Sequence, residues 1–182
     1  MSWVFNATPL IYLAKADRLD VLEALAEPRL VPRPVYREVV TDGIEGGYAD
    51  SRRIERQVED GLLEVVDADV AANANADVDD SPIADRLARH PGLSDADVAV
   101  LACADARDAV AVVDEDVGRS VAEVEGIETR GTAYLVLSAV KEDAIAPEAG
   151  RETIDAMVDR GWYLAPDLYA TVVRKLESLD SG

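Results

Sequence analysis

Four side chains with oxygen ligands stand where the sequence predicts the edge of a parallel sheet: Asn6, Glu38, Asp97 and Asp114. Asn6 and Asp114 directly follow short apolar runs that are typical of strands, whereas Glu38 and Asp97 lie on predicted helices. Amide and carboxylate oxygens are hard ligands that suit Mg²⁺ or Mn²⁺. Such ions activate water and neutralise charge on a phosphate, so phosphodiester hydrolysis needs no histidine or cysteine nucleophile. If the four side chains converge, we expect a hard-cation site.

Three of these acids also have an interpretation that involves no chemistry. Asp97 stands three residues after Ser94, so it can be the acidic partner of a helix capping box. Glu38 can be a solvated helix residue, and Asp114 can belong to a turn. Spacing alone leaves both interpretations open.

The elements that must position these side chains alternate between strands and helices. Thr8 before Pro9 is typical of an N-cap and a first helical turn, so the strand at residues 4–5 is expected to lead directly into a helix. Further strands are expected at residues 30–31, 62–66 and 109–113. This alternation predicts an open, mainly parallel sheet covered by helices on both faces, with functional sites beyond the carboxyl ends of the strands.

The length of 182 residues fits one domain, residues 1–182. Residues 67–82 contain few large apolar side chains, so we expect a loop or a poorly ordered insertion there. Residues 131–179 are expected to form a helical C-terminal part with breaks near Pro147 and Pro166.

The charge of the chain disfavours nucleic acid as a partner at ordinary salt, because 37 acidic side chains against 18 basic ones give a net charge of −19. The chain has 3 lysines against 15 arginines and is rich in Asp and Ala, a composition that resembles proteins of salt-loving archaea. In molar salt the Debye length is about 3 Å, which screens repulsion from phosphate. An ordinary acidic protein of low-salt cytosol remains the competing interpretation.

Several classes of protein are disfavoured by what the sequence lacks. The single cysteine, Cys103, excludes an intrachain disulfide, and with His90 as the one histidine it cannot form a Cys/His zinc site. No apolar run approaches the roughly 18 residues that cross a bilayer. The N-terminal segment lacks the basic region of a signal peptide, so we expect a cytoplasmic protein without a membrane partner.

Four successive segments together resemble the motifs of PIN-domain proteins: VFNATPLIYLAKADRLDVL, VPRPVYREVV, LSDADVAVLACA and AVVDEDVGRSVAEVEGI. The later segments GTAYLVLSAVKEDAI and IDAMVDRGWYLAPDLYATVV are similar to the tail of a PIN-like branch related to VapC-type toxins. The resemblance implies a three-layer α/β/α fold and a Mg²⁺- or Mn²⁺-dependent ribonuclease.

Transferred residue by residue, the resemblance implies a set of metal ligands at Asn6, Glu38, Asp97, Asp114 and, less regularly, Asp116. Glu38, Asp97 and Asp114 are the expected catalytic acids. Asp116 can also be a first-turn acid favoured by the helix dipole. Asn6 departs from the family, because most PIN nucleases have Asp there and an amide adds no negative charge to a metal site.

Three functions remain in competition at this point. The first is an endoribonuclease, acting as the toxin of a toxin–antitoxin pair or in RNA processing. The second is a PIN-like module without catalysis that binds RNA or a protein, which Asn6 favours. A phosphatase or receiver-like domain fits less well, because its nucleophilic Asp would stand where this chain has Asn6.

Partners follow from the same hypotheses. RNA is expected, and an antitoxin protein and a homodimer are left open. Contacts to phosphate are expected from arginines of the first half of the chain, Arg33, Arg37, Arg52, Arg53 or Arg56, although most of these side chains suit surface solvation as well.

Overall fold

The computed structural model describes residues 1–67 and 83–180 of the chain. The loop predicted for residues 67–82 therefore lies, apart from Asp67, outside the described residues. A five-stranded, entirely parallel sheet forms the centre, in the order β3-β2-β1-β4-β5. Its strands are β1 (Trp3–Phe5), β2 (Arg29–Pro32), β3 (Glu64–Val66), β4 (Val110–Val112) and β5 (Thr129–Arg130).

Helices connect and cover these strands. The first half of the chain contains α1 (Ala7–Lys15), a 3₁₀ helix (Leu19–Ala24), α2 (Arg33–Tyr36), a π-helical segment (Arg37–Asp42), α3 (Gly43–Glu45) and α4 (Ala49–Glu59). The second half contains α5 (Ile83–Ala88), α6 (Asp95–Ala106), α7 (Asp116–Glu125), α8 (Thr132–Lys141), α9 (Pro147–Asp159) and α10 (Pro166–Asp180).

The helices form two layers around the sheet. Helix α1 packs against α4 and α9, and α8 packs against α9 and α10. Helix α6 packs against β1, β2 and β4, and also against α5. The predicted three-layer α/β/α fold with a helical C-terminal extension is confirmed.

The strands at the middle of the sheet are buried because their sequences are almost continuously apolar. Every residue of β1 and β4 is buried, as is expected of parallel strands covered on both faces. Strand β5 has two residues, Thr129 and Arg130, and its polar sequence gave no strand signal.

The start of α1 differs from the expectation that Thr8 is its N-cap. The helix begins at Ala7, and the side chain of Asn6 accepts the Ala7 amide hydrogen at 2.8 Å. Thr8 therefore lies inside the first turn, which frees its hydroxyl for another partner.

Candidate metal and active site

Asn6 lies at the carboxyl end of β1 and is buried. Its backbone amide donates to the Val112 carbonyl of β4 at 3.1 Å, which fixes it between the two central strands. Its Oδ1 accepts from the Ala7 amide, and its Nδ2 donates to Asp97 Oδ1 at 2.7 Å. In this orientation Asn6 offers a hydrogen-bond donor to the candidate site. As a metal ligand, Asn6 would have to use the second lone pair of Oδ1, because the first accepts from the Ala7 amide.

Asp97 has the capping-box role that the sequence allowed. Its Oδ2 accepts from the backbone amide and the hydroxyl of Ser94, at 2.8 and 2.7 Å, and the Asp97 amide donates back to the Ser94 hydroxyl. This reciprocal pattern is a capping box at the start of α6. Its other oxygen, Oδ1, faces Asn6. The capping box thus holds Asp97 in position at the end of β1.

Glu38 lies on the π-helical segment and is exposed. Partial burial raises the pKa of its carboxyl above the ordinary value. Neighbouring negative charges raise that pKa further, in the order Asp97, Glu115 and Asp42. Within the part of the chain that the structure describes, no side chain donates a hydrogen bond to Glu38. Its carboxylate is therefore crowded by like charge and available to a cation.

Glu115 is a member of this group that the sequence did not single out. Its Oε1 accepts a hydrogen bond from the Thr8 hydroxyl, and its charge acts on Glu38. The acidic run 114–116 was the available signal, but spacing could not show which of its three acids faces Glu38. Asp116, by contrast, begins α7 and is exposed, in agreement with a first-turn acid.

Asp114 follows β4, but its carboxylate is engaged elsewhere. Its Oδ1 accepts from the Thr132 amide at 2.7 Å. Its Oδ2 accepts from the Thr132 hydroxyl at 2.7 Å and from Trp162 Nε1 at 2.9 Å. Asp114 thus joins the sheet to the start of α8 and to the turn after α9, and each of its oxygens accepts at least one hydrogen bond from the protein.

The structure therefore brings together five of the side chains at this edge: Asn6, Thr8, Glu38, Asp97 and Glu115. It leaves Asp116 outside this group, and it gives Asp114 structural partners. Within residues 1–67 and 83–180, no three His, Cys, Asp or Glu side chains form an arrangement that could hold a metal ion.

The chemistry of the group nevertheless suits a hard divalent cation. No salt bridge in the described part of the chain joins Glu38, Asp97 or Glu115 to a basic side chain, so their negative charge lacks a counter-ion. Carboxylate and hydroxyl oxygens are the donors that Mg²⁺ and Mn²⁺ prefer. Side-chain movement would be needed to bring the donors into one coordination shell.

The arginines expected to contact phosphate are mostly engaged with the protein. Arg33 pairs with Asp67, and Arg53 donates to the Ala14 carbonyl at 2.7 Å. Arg52 lies 3.9 Å from Glu55. Arg37 and Arg56 have no ion pair among the described residues.

A protein-family model described as a PIN domain matches residues 2–178 of the chain. No curated protein and no solved structure gives a significant match. No helix in the described ranges has the length and apolar character needed to cross a membrane.

Proposed function

The chain belongs to the PIN-domain family, and on that basis we propose that it is a metal-dependent endoribonuclease. The observation that supports this most directly is the raised pKa of Glu38, which has Asp97 and Glu115 as charged neighbours at the carboxyl edge of the parallel sheet. Carboxylates without a counter-ion at this edge are typical of a cation site in an open α/β fold.

The ion would be held by Glu38, Asp97 and Glu115. A bound divalent ion supplies charge neutralisation at the scissile phosphate and activation of water. The protein's own residues prepare that site: the capping box of α6 fixes Asp97, and the Thr8 hydroxyl orients Glu115.

Asn6 and Asp114 have positioning roles in this proposal. Asn6 donates to Asp97 Oδ1 and so fixes the direction of the oxygen that takes no part in the capping box. Asp114 holds the start of α8 and the Trp162 side chain, which keeps Glu115, the next residue, directed toward Thr8. Asp116 remains a peripheral acid that can bind a second ion only weakly.

A toxin related to the VapC type is the finer form of this proposal. The similarity of the C-terminal segments to that branch supports it, and it implies an antitoxin protein and a homodimer as partners. We further propose that residues 1–182 form one domain, that the protein acts in the cytoplasm, and that it comes from a halophilic archaeon, which the net charge of −19 and the excess of Arg over Lys support.

One observation favours a second function, a PIN-like module that binds RNA or a protein without cleaving it. Asn6 presents an amide donor to Asp97 where most PIN nucleases have a carboxylate, so the site has one negative charge fewer. Weak metal binding would then leave RNA recognition without hydrolysis.

A cleavage assay in molar KCl separates the two functions. Purified protein is incubated with mixed cellular RNA, with Mn²⁺ or with a chelator, beside Glu38→Gln and Asp97→Asn. Asp116→Asn serves as a matched control that changes an exposed acid outside the group. Cleavage that requires Mn²⁺ and that the first two variants lose would support the nuclease. RNA binding without cleavage in the unmodified protein would support the module.

A further inference from the structure

The turn between α9 and α10 is held against the carboxyl edge of the sheet from two sides. Trp162 is buried and donates from Nε1 to Asp114 Oδ2 at 2.9 Å. The carbonyl of Gly161 accepts from the Tyr12 hydroxyl at 3.2 Å. These contacts fix the backbone on which Tyr163, the next residue, presents its ring.

Tyr163 is 83% exposed although it lies in this anchored turn. The residue before it is buried, and the residue after it, Leu164, packs against the core. Tyr163 is therefore exposed between two residues that contact the core, and its backbone is held in place. An aromatic ring in this setting pays little conformational entropy when a flat partner stacks on it.

A cation, Arg119, lies near Asp114, the residue that anchors Trp162. Arg119 of α7 is exposed, and its side chain forms no ion pair with any residue in the described ranges. A Cβ atom built on Gly131 would lie 3.1 Å from Asp114 Oδ1 and 3.7 Å from Arg119 Nη1, so both side chains border Gly131. Arg119 also lines a cleft along β5 together with Arg130 and three acidic side chains, Asp116, Glu123 and Glu128.

We propose that Tyr163 and Arg119 form a binding rim for single-stranded RNA, in which Tyr163 stacks on a base and Arg119 contacts a phosphate. The inference rests on the proposed function, because it names the residues that would present RNA to the carboxylates. Arg119 borders Gly131 together with Asp114, and Tyr163 directly follows Trp162, which donates to Asp114. The residue after Asp114, Glu115, contacts Thr8 of the acidic group. An RNA strand on the rim would therefore pass close to Glu38 and Asp97.

The pairing of a ring with a guanidinium favours RNA over a protein surface as the occupant. Base stacking on an aromatic side chain is tolerant of sequence, and a guanidinium suits phosphate through two parallel donors. In a chain with a net charge of −19, a strand of phosphates needs a local cation and a contact that does not depend on charge. The rim offers one of each.

The test measures RNA binding without cleavage. A fluorescein-labelled, mixed-sequence, single-stranded RNA is titrated with protein in EDTA, at KCl concentrations from low to molar, and anisotropy is recorded. Tyr163→Ala should weaken binding by about tenfold at every salt concentration, and Tyr163→Phe should restore it because the ring is kept. Arg119→Gln should weaken binding several-fold at low salt, with a difference that shrinks as KCl rises.

Two variants serve as matched controls, and a second measurement covers the rival occupant. Tyr48→Ala removes another exposed ring, and Arg174→Gln removes an exposed arginine on α10; both should bind RNA as the unmodified protein does. Sedimentation velocity on Tyr163→Ala shows whether the ring instead belongs to a contact between copies of the chain.

The outcomes separate the rim from the proposed function. If the unmodified protein binds RNA and the Tyr163 and Arg119 variants bind equally well, the rim is wrong while the proposed function stands. If Tyr163→Ala changes self-association and leaves RNA binding unchanged, the ring contacts protein and the rim is wrong. If the unmodified protein binds no RNA at any salt concentration, the proposed function fails and the rim fails with it.

Discussion

Asp114 and Glu38 are two carboxylates at the same edge of one sheet, and their surroundings are opposite. Asp114 accepts three hydrogen bonds, two from Thr132 and one from Trp162. Glu38 accepts none from the described residues, and burial and the charges of its acidic neighbours raise its pKa. The sequence motif predicts both acids as metal ligands, whereas the structure gives them opposite hydrogen-bond surroundings.

The difference concerns where each negative charge finds compensation. The charge of Asp114 is compensated by donors that belong to the fold, so removing the carboxylate should cost stability. The charge of Glu38 is opposed by its acidic neighbours, so its compensation must come from solvent or from a ligand outside the fold. Asp114 should therefore stabilise the protein, and Glu38 should serve its function.

The largest expected effect is the loss of stability in Asp114→Ala. Three hydrogen bonds to a carboxylate disappear, and three donor groups on the buried residues Thr132 and Trp162 lose their acceptor, so the free energy of unfolding should fall by about 3 kcal/mol. Urea denaturation at neutral pH measures it. Asp116→Ala, two residues away and exposed, should stay within about 0.5 kcal/mol of the unmodified protein. Equal stability of the two variants would show that the hydrogen bonds of Asp114 do not stabilise the fold.

A second substitution turns a positioning contact into a repulsive one. In Asn6→Asp a carboxylate oxygen would replace the donor now 2.7 Å from Asp97 Oδ1. The metal-free variant should lose about 1 to 2 kcal/mol of stability, and its Mn²⁺ affinity should rise about tenfold because a further negative charge joins the group. Denaturation with chelator and calorimetric titration with Mn²⁺ measure the two effects.

Asn6→Ala is the control for that substitution. It removes the bond to Asp97 and the bond from the Ala7 amide without adding charge, so it should lose stability and gain no affinity. If Asn6→Asp binds Mn²⁺ no more tightly than Asn6→Ala does, residue 6 is not close enough to influence the ion.

The effect of Glu38→Gln on the free energy of unfolding should be smaller and should depend on pH. A carboxyl whose folded pKa is raised binds its proton more tightly in the folded state than in the unfolded chain. Its contribution to stability is therefore present below the ordinary pKa of about 4.5 and is lost as the pH rises through the raised value. Because Gln does not titrate, the variant should gain stability relative to the unmodified protein from about pH 4.5 upward.

Thermal or urea unfolding of both proteins across this pH range gives the difference directly. Acids that do not interact with Glu38 titrate alike in both proteins and cancel in the comparison, so the difference reports on Glu38 and its charged neighbours. A difference that is independent of pH would show that Glu38 is not crowded by like charge.

The smallest expected effect is a salt dependence of the stability difference between Glu38→Gln and the unmodified protein. Molar KCl reduces the Debye length to about 3 Å, so the stability that Glu38→Gln gains at neutral pH should shrink. The stability that Asp114→Ala loses should persist, because hydrogen bonds act at contact. The unmodified protein should itself become more stable from low to molar KCl, since its net charge is −19. A flat salt dependence in all three proteins would argue against the halophilic interpretation.

Much of the fold was predictable because its signals are local. Apolar runs at β1 and β4 predicted buried parallel strands, and Ser94 with Asp97 predicted the start of α6. The two residues of β5 could not be predicted, since Thr129 and Arg130 become a strand only by pairing with β4.

The candidate site was predictable in its location more than in its members. The ends of β1 and β4 identified the edge, but the partners of Asp114 lie 18 and 48 residues away. Spacing contains no information about such distant donors, so it could not show that Asp114 is engaged and that Glu115 faces Thr8.

The most direct test of the difference between Glu38 and Asp114 is a Mn²⁺ titration in which electron paramagnetic resonance measures the free ion. The titration is carried out on the unmodified protein, Glu38→Gln and Asp114→Asn. Circular dichroism first establishes that each variant is folded under the conditions used. We expect Glu38→Gln to lose Mn²⁺ binding, and folded Asp114→Asn to keep an affinity close to that of the unmodified protein. Loss of binding in Asp114→Asn together with unchanged binding in Glu38→Gln would contradict the account.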